Sequence, residues 1–292
     1  MRITLHEAAP ADLDEIIATM STWQEEGASV QLHPGDLGWA WRFGAPALAA
    51  TLRLWRRDGS LVAVGMVDPG LVRMAIAPSA GHDLEVAEQL VADLSDPARG
   101  VLPAGAGAVE ARVGAALRSL LAASGWTPDE SWTPLRRDLR TPVADCGLRI
   151  ERLDAAHVDE TLLEHRVMVG RASFANSTFT ADRWRAMADS SAYRQARCLI
   201  GYDGTGMPVA ATTVWSAGPD RPGLIEPLGA HHDHRGRGYG RAIAVAAAAA
   251  LRELGSSSAT VCTLTANTAG VAAYRSAGMA PLPAVTDFRR PG

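Results

Sequence analysis

The sequence contains no lysine, and all 28 of its basic residues are arginine. A Walker-type phosphate loop needs a Gly-Lys-Ser/Thr ending, with lysine on the phosphates and a hydroxyl on magnesium, so that class of nucleotide enzyme is excluded. Cysteine is scarce. Cys146, Cys198 and Cys262 are odd in number and widely spaced, which suits free thiols in a reducing cytoplasm better than a disulfide framework. Long apolar runs are missing too: Ala242 to Leu251 is the longest, well short of the ~20 residues that cross a bilayer. The opening Met1-Arg-Ile-Thr-Leu-His-Glu lacks the apolar core of a signal peptide. A net charge of −4 supplies no basic field for nucleic acid. These absences predict a cytoplasmic protein with neither nucleic-acid nor membrane partners. The all-arginine, alanine-rich usage points to a GC-rich bacterial genome.

What the chain does hold is Arg235-Gly236-Arg237-Gly238-Tyr239-Gly240, between a strand-like run (Leu224 to Ala230) and an alanine-rich helix starting near Arg241. Glycines at alternate positions turn the backbone tightly and leave its N–H groups uncovered, and the positive end of the helix dipole faces the same point. This is an anion cradle, and the arginine at its head suits a diphosphate. A Rossmann fingerprint would read Gly-x-Gly-x-x-Gly near the start of a βαβ unit; here the spacing is Gly-x-Gly-x-Gly and the position is late. An ordinary glycine-rich turn is the bland alternative. After the helix comes a β-rich run, Ala259 to Thr265, and then Asn267-Thr-Ala-Gly-Val-Ala-Ala-Tyr274-Arg-Ser-Ala-Gly278-Met279, which reads as a short helix closed by glycine.

Arg235, Gly238 and Gly240 meet the pattern Arg-x-x-Gly-x-Gly, and with the Asn267 to Met279 segment they resemble the GNAT superfamily of N-acetyltransferases over Leu148 to about Arg290. Met279 stands where the family commonly has Phe. The resemblance implies an α/β (α+β) fold with a mixed, mostly antiparallel central sheet flanked by helices, and an acyl-CoA site. Acetyl-CoA is the implied co-substrate, with no metal. Its diphosphate is expected on Arg235, Gly236, Arg237, Gly238, Tyr239, Gly240 and Arg241. Its pantetheine is expected along the strand end at Ala230 and His232, with Asn267 on the cofactor or on a strand end.

The two halves read as distant repeats. Arg2-Ile3 with Ala9 and Asp12 echoes Arg149-Ile150 with Ala156 and Asp159, and Leu120 to Trp126 matches Ala273 to Met279. Each of the latter is followed by a short β-like tail ending in Arg136-Arg137 or Arg289-Arg290. The expected organisation is two tandem GNAT-like domains: residues 1–140, a linker at 141–147, and residues 148–292. In the first half the equivalent loop, Pro78 to Leu84, keeps one glycine and has no leading arginine. Asp83 there would repel a diphosphate, and Leu121 stands in the place of Tyr274. The first domain is therefore expected to bind no acyl-CoA. It holds six of the eight tryptophans; for Trp39-Ala-Trp41 the choice lies between packing, which is the expected role, and a pocket wall.

By the same resemblance Tyr274 would protonate the leaving thiolate. Thiol and phenol have ordinary pKa values of roughly 8.5 and 10, a small gap for that transfer. Glu226 is the candidate general base for the attacking amine, with a salt bridge or polar edge role as its alternative. Pro227 cannot donate to a ladder, so this strand must meet a bulge or an open edge. His231 and His232 would be sent to opposite faces by an extended backbone, which argues against a metal site at His231 to His234. Phe174, Asn176 and Phe179 lie in the segment expected to overhang the acceptor. The expected activity is direct acetyl transfer to a primary amine of a small molecule or peptide in a ternary complex, by a monomer or homodimer. A non-catalytic acyl-CoA sensor or interaction module on the same fold is the alternative.

Overall fold

A computed structural model describes residues 2–290. In chain order the strands are β1 (Ile3–Glu7), β2 (Leu52–Arg57), β3 (Ser60–Asp68), β4 (Leu71–Ile76), β5 (Gly107–Glu110), β6 (Thr127–Asp138), β7 (Arg149–Leu153), β8 (Ala196–Tyr202), β9 (Pro208–Trp215), β10 (Pro222–Ala230), β11 (Ser258–Leu264), β12 (Ala280–Pro281) and β13 (Val285–Arg290). The helices are α1 (Leu13–Thr22), α2 (Pro34–Ala40), α3 (Ala45–Thr51), α4 (Leu84–Ser95), α5 (Ala115–Ala123), α6 (Glu160–Ser173), α7 (Ala181–Ala188), α8 (Tyr239–Glu253) and α9 (Thr268–Ser276). The strands are mostly antiparallel and helices flank them, as expected from the sequence.

The chain divides into two compact units, and neither is continuous in sequence. One comprises the residues through His33, Ala45–Trp132 and those from Ala284; the other comprises Pro34–Gly44 and Thr133–Pro283. A cut at residues 140 and 148 thus differs from this partition in three places: residues 34–44 and 133–140 belong with the second unit, and those from 284 with the first. Nor is 141–147 a free tether, because Val143 and Cys146 pack on the core of the second unit.

In the first unit β1, β2, β3 and β4 form an antiparallel meander, β4 pairs parallel with β5, and β13 runs antiparallel beside β5. The turn after β4 is a short 3-10 segment, Pro78–Ala80, leading into α4. Asp83 caps that helix, accepting the Val86 N–H at 3.1 Å, and its carboxylate also takes two hydrogen bonds from Arg57. The Arg57 guanidinium and the capping amide hold Asp83 down at about 2. A carboxylate of the protein itself therefore occupies this helix N-terminus.

The second unit repeats the plan. β7, β8, β9 and β10 are antiparallel neighbours, β10 pairs parallel with β11, and β6 lies beside β11. The repeat extends to the helix ends. Trp126 N–H donates to Leu121 O after α5, Met279 N–H donates to Tyr274 O after α9, and Gly125 and Gly278 share a φ of 84°. Leu121 and Tyr274 are therefore equivalent positions, and Leu121 is fully buried. The core of the second unit lies under α8, where a run of buried alanines with Ile243, Val245 and Leu251 packs with Val214, Ile225 and Val261. Small side chains let the helix sit close to the strands, so burial rather than bulk holds it there. No helix of the described residues is long and apolar enough to cross a membrane.

Candidate active site

β10 and β11 begin as partners and then part. They pair at Pro222↔Ser258, Gly223↔Ala259 and Leu224↔Thr260, while β10 continues to Ala230 against β9. Between Ile225 and Leu228 the β9 register shifts, at the proline that the sequence required to meet a bulge or an open edge. The shifted residues are held by side chains of β9: Trp215 Nε1 donates to Glu226 O at 2.6 Å, and Thr212 Oγ1 donates to Pro227 O at 2.9 Å. The strand thus leaves a backbone edge next to the start of α8.

Beyond Ala230 the chain turns through His232–His234 into the glycine loop. Gly236 and Gly238 have φ of 78° and 82°, and a Cβ on either would meet open space. At these positions glycine answers a backbone need, not a packing one. Gly238 is the N-cap of α8 with no side-chain hydrogen bond, so the first-turn amides of that helix are uncovered. The contrast with the Asp83-capped α4 is direct.

The residues expected around this loop have varied partners. Arg235 Nη2 donates to Ser173 O at 3.0 Å, and His232 Nδ1 lies 2.7 Å from Ala172 O. Both hold the last carbonyls of α6. Arg241 Nε donates to Ser276 O, tying α8 to α9. Arg237 is exposed. Asn267 is the N-cap of α9: its Oδ1 accepts the Gly270 N–H, and its Nδ2 donates to Thr263 Oγ1. The two histidines depart from expectation. The backbone is no longer extended at His232, so the rings of His231 and His232 stack 4.9 Å apart instead of facing opposite ways. With Asp233 their ligand atoms come within 4.8 Å of one another, but the Nδ1 atoms already contact Asp233 N–H and Ala172 O. Burial, and then the neighbouring His232, lower the pKa of His231.

Tyr274 sits in the core below the loop, 9% exposed. Burial, and then the charge of Glu226, raise its phenol well above the ordinary value. The second cause shows that the two candidate catalytic groups feel each other. Residues 164–279, which span the loop, Glu226 and Tyr274, match the acetyltransferase (GNAT) family.

Solved structures extend the GNAT fold to the whole chain. A GCN5-related N-acetyltransferase from Sphaerobacter thermophilus superposes with TM-score 0.53 at 19% identity, covering 99% of this chain and 95% of that one. A tandem GNAT protein from the clavulanic acid biosynthesis pathway gives 0.55 at 14%, covering 99% and 98%. A GNAT-family acetyltransferase from Colwellia psychrerythraea gives 0.60 at 14%, again covering 99% and 98%. None of the curated proteins compared matches the sequence.

Within the second unit a cavity of about 290 Å³ opens beside Glu226 and Pro227. Phe174, Asn176 and Phe179, the residues expected near the acceptor, line it together. So does Trp39, for which a pocket wall was the alternative reading, and so do Arg42 and Arg166, which sequence reasoning did not single out. Trp39 stacks on Phe179 with centroids 5.4 Å apart, and the Arg42 guanidinium lies 4.1 Å over the Trp39 ring. For Trp39, where packing was the expected role, the ring forms a cavity wall. Trp39 is carried by α2, which opens at Pro34 within the His-Pro-Gly-Asp stretch.

Proposed function

We propose that the protein is an acetyl-CoA-dependent N-acetyltransferase acting by direct transfer to a primary amine, with its site in the second unit. The observation that carries this reading is the convergence of the diverging β10 edge, the uncapped start of α8, and Tyr274 in electrostatic reach of Glu226. The loop amides and Arg237 would take the diphosphate of acetyl-CoA, and the β10 edge near Ala230 would pair with the pantetheine amides. Arg235 would act with one nitrogen already on Ser173 O.

The chemistry follows from the coupling between the two side chains. Glu226 accepts a proton from the acceptor ammonium, directly or through water, and the amine attacks the thioester carbonyl. The C–N bond forms, the C–S bond breaks, and the thiolate takes a proton from the Tyr274 hydroxyl, while the attacking nitrogen gives up its second proton to the resulting phenolate and becomes the neutral amide. A phenol raised by burial and by a nearby carboxylate keeps its proton in the resting state. Once Glu226 is neutral that repulsion is gone, and the phenol becomes the better acid at the step that needs it.

The first unit, in this reading, binds no acyl-CoA. Asp83 already fills the helix N-terminus there, and Leu121 offers no hydroxyl. The experiment is a CoA-release assay over a broad amine panel with the intact protein. Tyr274→Phe and Glu226→Gln are each expected to lower kcat by roughly 10²-fold or more while acetyl-CoA binding persists. Unchanged transfer in both variants would overturn the mechanism. Acetyl-CoA binding without transfer to any amine would favour the sensor reading.

A further inference from the structure

The cavity beside Glu226 contains a buried positive charge that the fold leaves without a counter-ion. Arg166, on α6, is 2% exposed, and a guanidinium taken out of water needs its hydration replaced. Among the described residues no carboxylate pairs with it, and its Nε has no hydrogen-bond partner. Its charge lies 4.7 Å from the ring centroid of Phe179, a contact that recovers only part of the lost hydration. The sequence makes room for this arrangement. Gly170, one turn further along α6, leaves the space that Arg166 fills: a Cβ there would lie 2.6 Å from Nη1.

The other walls limit what could complete this charge. Trp39 and Phe179 supply stacked apolar faces, and Glu226 stands in the same cavity. Arg42, a second guanidinium, lines it as well. At about 290 Å³ the space is at the small end for ligand pockets. A polyamine or aminoglycoside would bring more positive charge next to the buried Arg166 guanidinium, which is repulsive.

We infer that the acceptor is a compact molecule carrying a carboxylate as well as its amine. Its carboxylate would pair with Arg166, its apolar part would lie against Trp39 and Phe179, and its amine would turn toward Glu226. The direction of the amine rests on the transferase reading; the carboxylate seat does not.

The test uses the intact protein and matched compounds: free α-amino acids, their C-terminal amides, and the corresponding decarboxylated amines. Two readouts are taken, thermal stabilisation by each compound and acetyl transfer from acetyl-CoA. The free acids are expected to stabilise the protein and to exceed their amides in kcat/KM by on the order of 100-fold, the scale of a desolvated charge pair. Arg166→Gln should collapse that ratio and abolish the stabilisation, while Arg166→Lys should keep part of both. A continuing thermal shift with acetyl-CoA would show that a variant is folded. If Arg166→Gln does not fold, the acid-to-amide ratio of the wild type and the behaviour of Arg166→Lys decide. Acids and amides that react alike in the wild type, or a preference that survives Arg166→Gln, would overturn the carboxylate seat and leave the transferase reading standing. Stabilisation by acids that depends on Arg166, with no acetyl transfer to any amine, would support the seat and overturn the transferase reading.

Discussion

Tyr274 and Glu226 illustrate how the surroundings of a residue change its chemistry. Taken alone, a phenol needs little driving force to protonate a thiolate. In the fold it is a much weaker acid, because it is buried and lies near a carboxylate. In the proposed mechanism the two groups act in sequence, which predicts that their substitutions are not additive. The double variant Tyr274→Phe/Glu226→Gln should lose much less in kcat than the product of the two single losses, as measured in a double-mutant cycle. At the proposed acceptor cavity, Trp39→Ala should raise the acceptor KM about tenfold, with the acetyl-CoA KM unchanged, because the ring lines that cavity. The sequence identified Tyr274 by its place between Asn267 and Gly278, a local pattern. It could not identify Arg166, since an arginine on an amphipathic helix is normally a solvated residue; only the third dimension places it under Phe179.

Elements whose geometry is set by a few residues were the most legible. The glycine loop follows from backbone need alone: positive φ at Gly238 requires a residue without Cβ. Gly238→Ala should cost about 1–2 kcal/mol in stability, measured by urea unfolding. The α2 segment was less legible, because its fit is tertiary. Gly35 and Gly38 present a bare face to the Trp215 side chain, and a Cβ at either would overlap it. Gly38→Ala should destabilise the second unit by about 1–3 kcal/mol through overpacking. In α4 the cap can be read through pH. Asp83 has a lower pKa folded than its ordinary value of 3.8, so its contribution is complete above that value and declines as pH falls through about 2. Asp83→Asn should remove that acid-side slope from a stability profile measured between pH 5 and 2.

For the whole chain, the repeat was visible as echoes of sequence, but not the exchange of strands. β6, which follows the first half, lies beside β11, and β13, at the end of the second half, lies beside β5. Periodicity identifies a strand without naming its neighbour, and a cut by sequence therefore misplaces both tails. The β13 strand is fastened inside the first unit: Asp287 pairs with Arg112 at 2.9 Å, with both side chains less than a tenth exposed, and Arg290 donates to Leu94 O and Gly105 O. Asp287→Ala should cost about 2–4 kcal/mol, moderated by Glu110 at 3.4 Å from Arg112, and chemical denaturation would measure it. The central proposal is a single acyl-CoA site, built on the uncapped α8 of the second unit. Thermal unfolding of the intact protein with acetyl-CoA tests it most directly. At a hundredfold excess over Kd the melting temperature should rise by roughly 5–10 °C, and Gly238→Asp should abolish the rise. No shift in the intact protein, or an undiminished shift in Gly238→Asp, would contradict it.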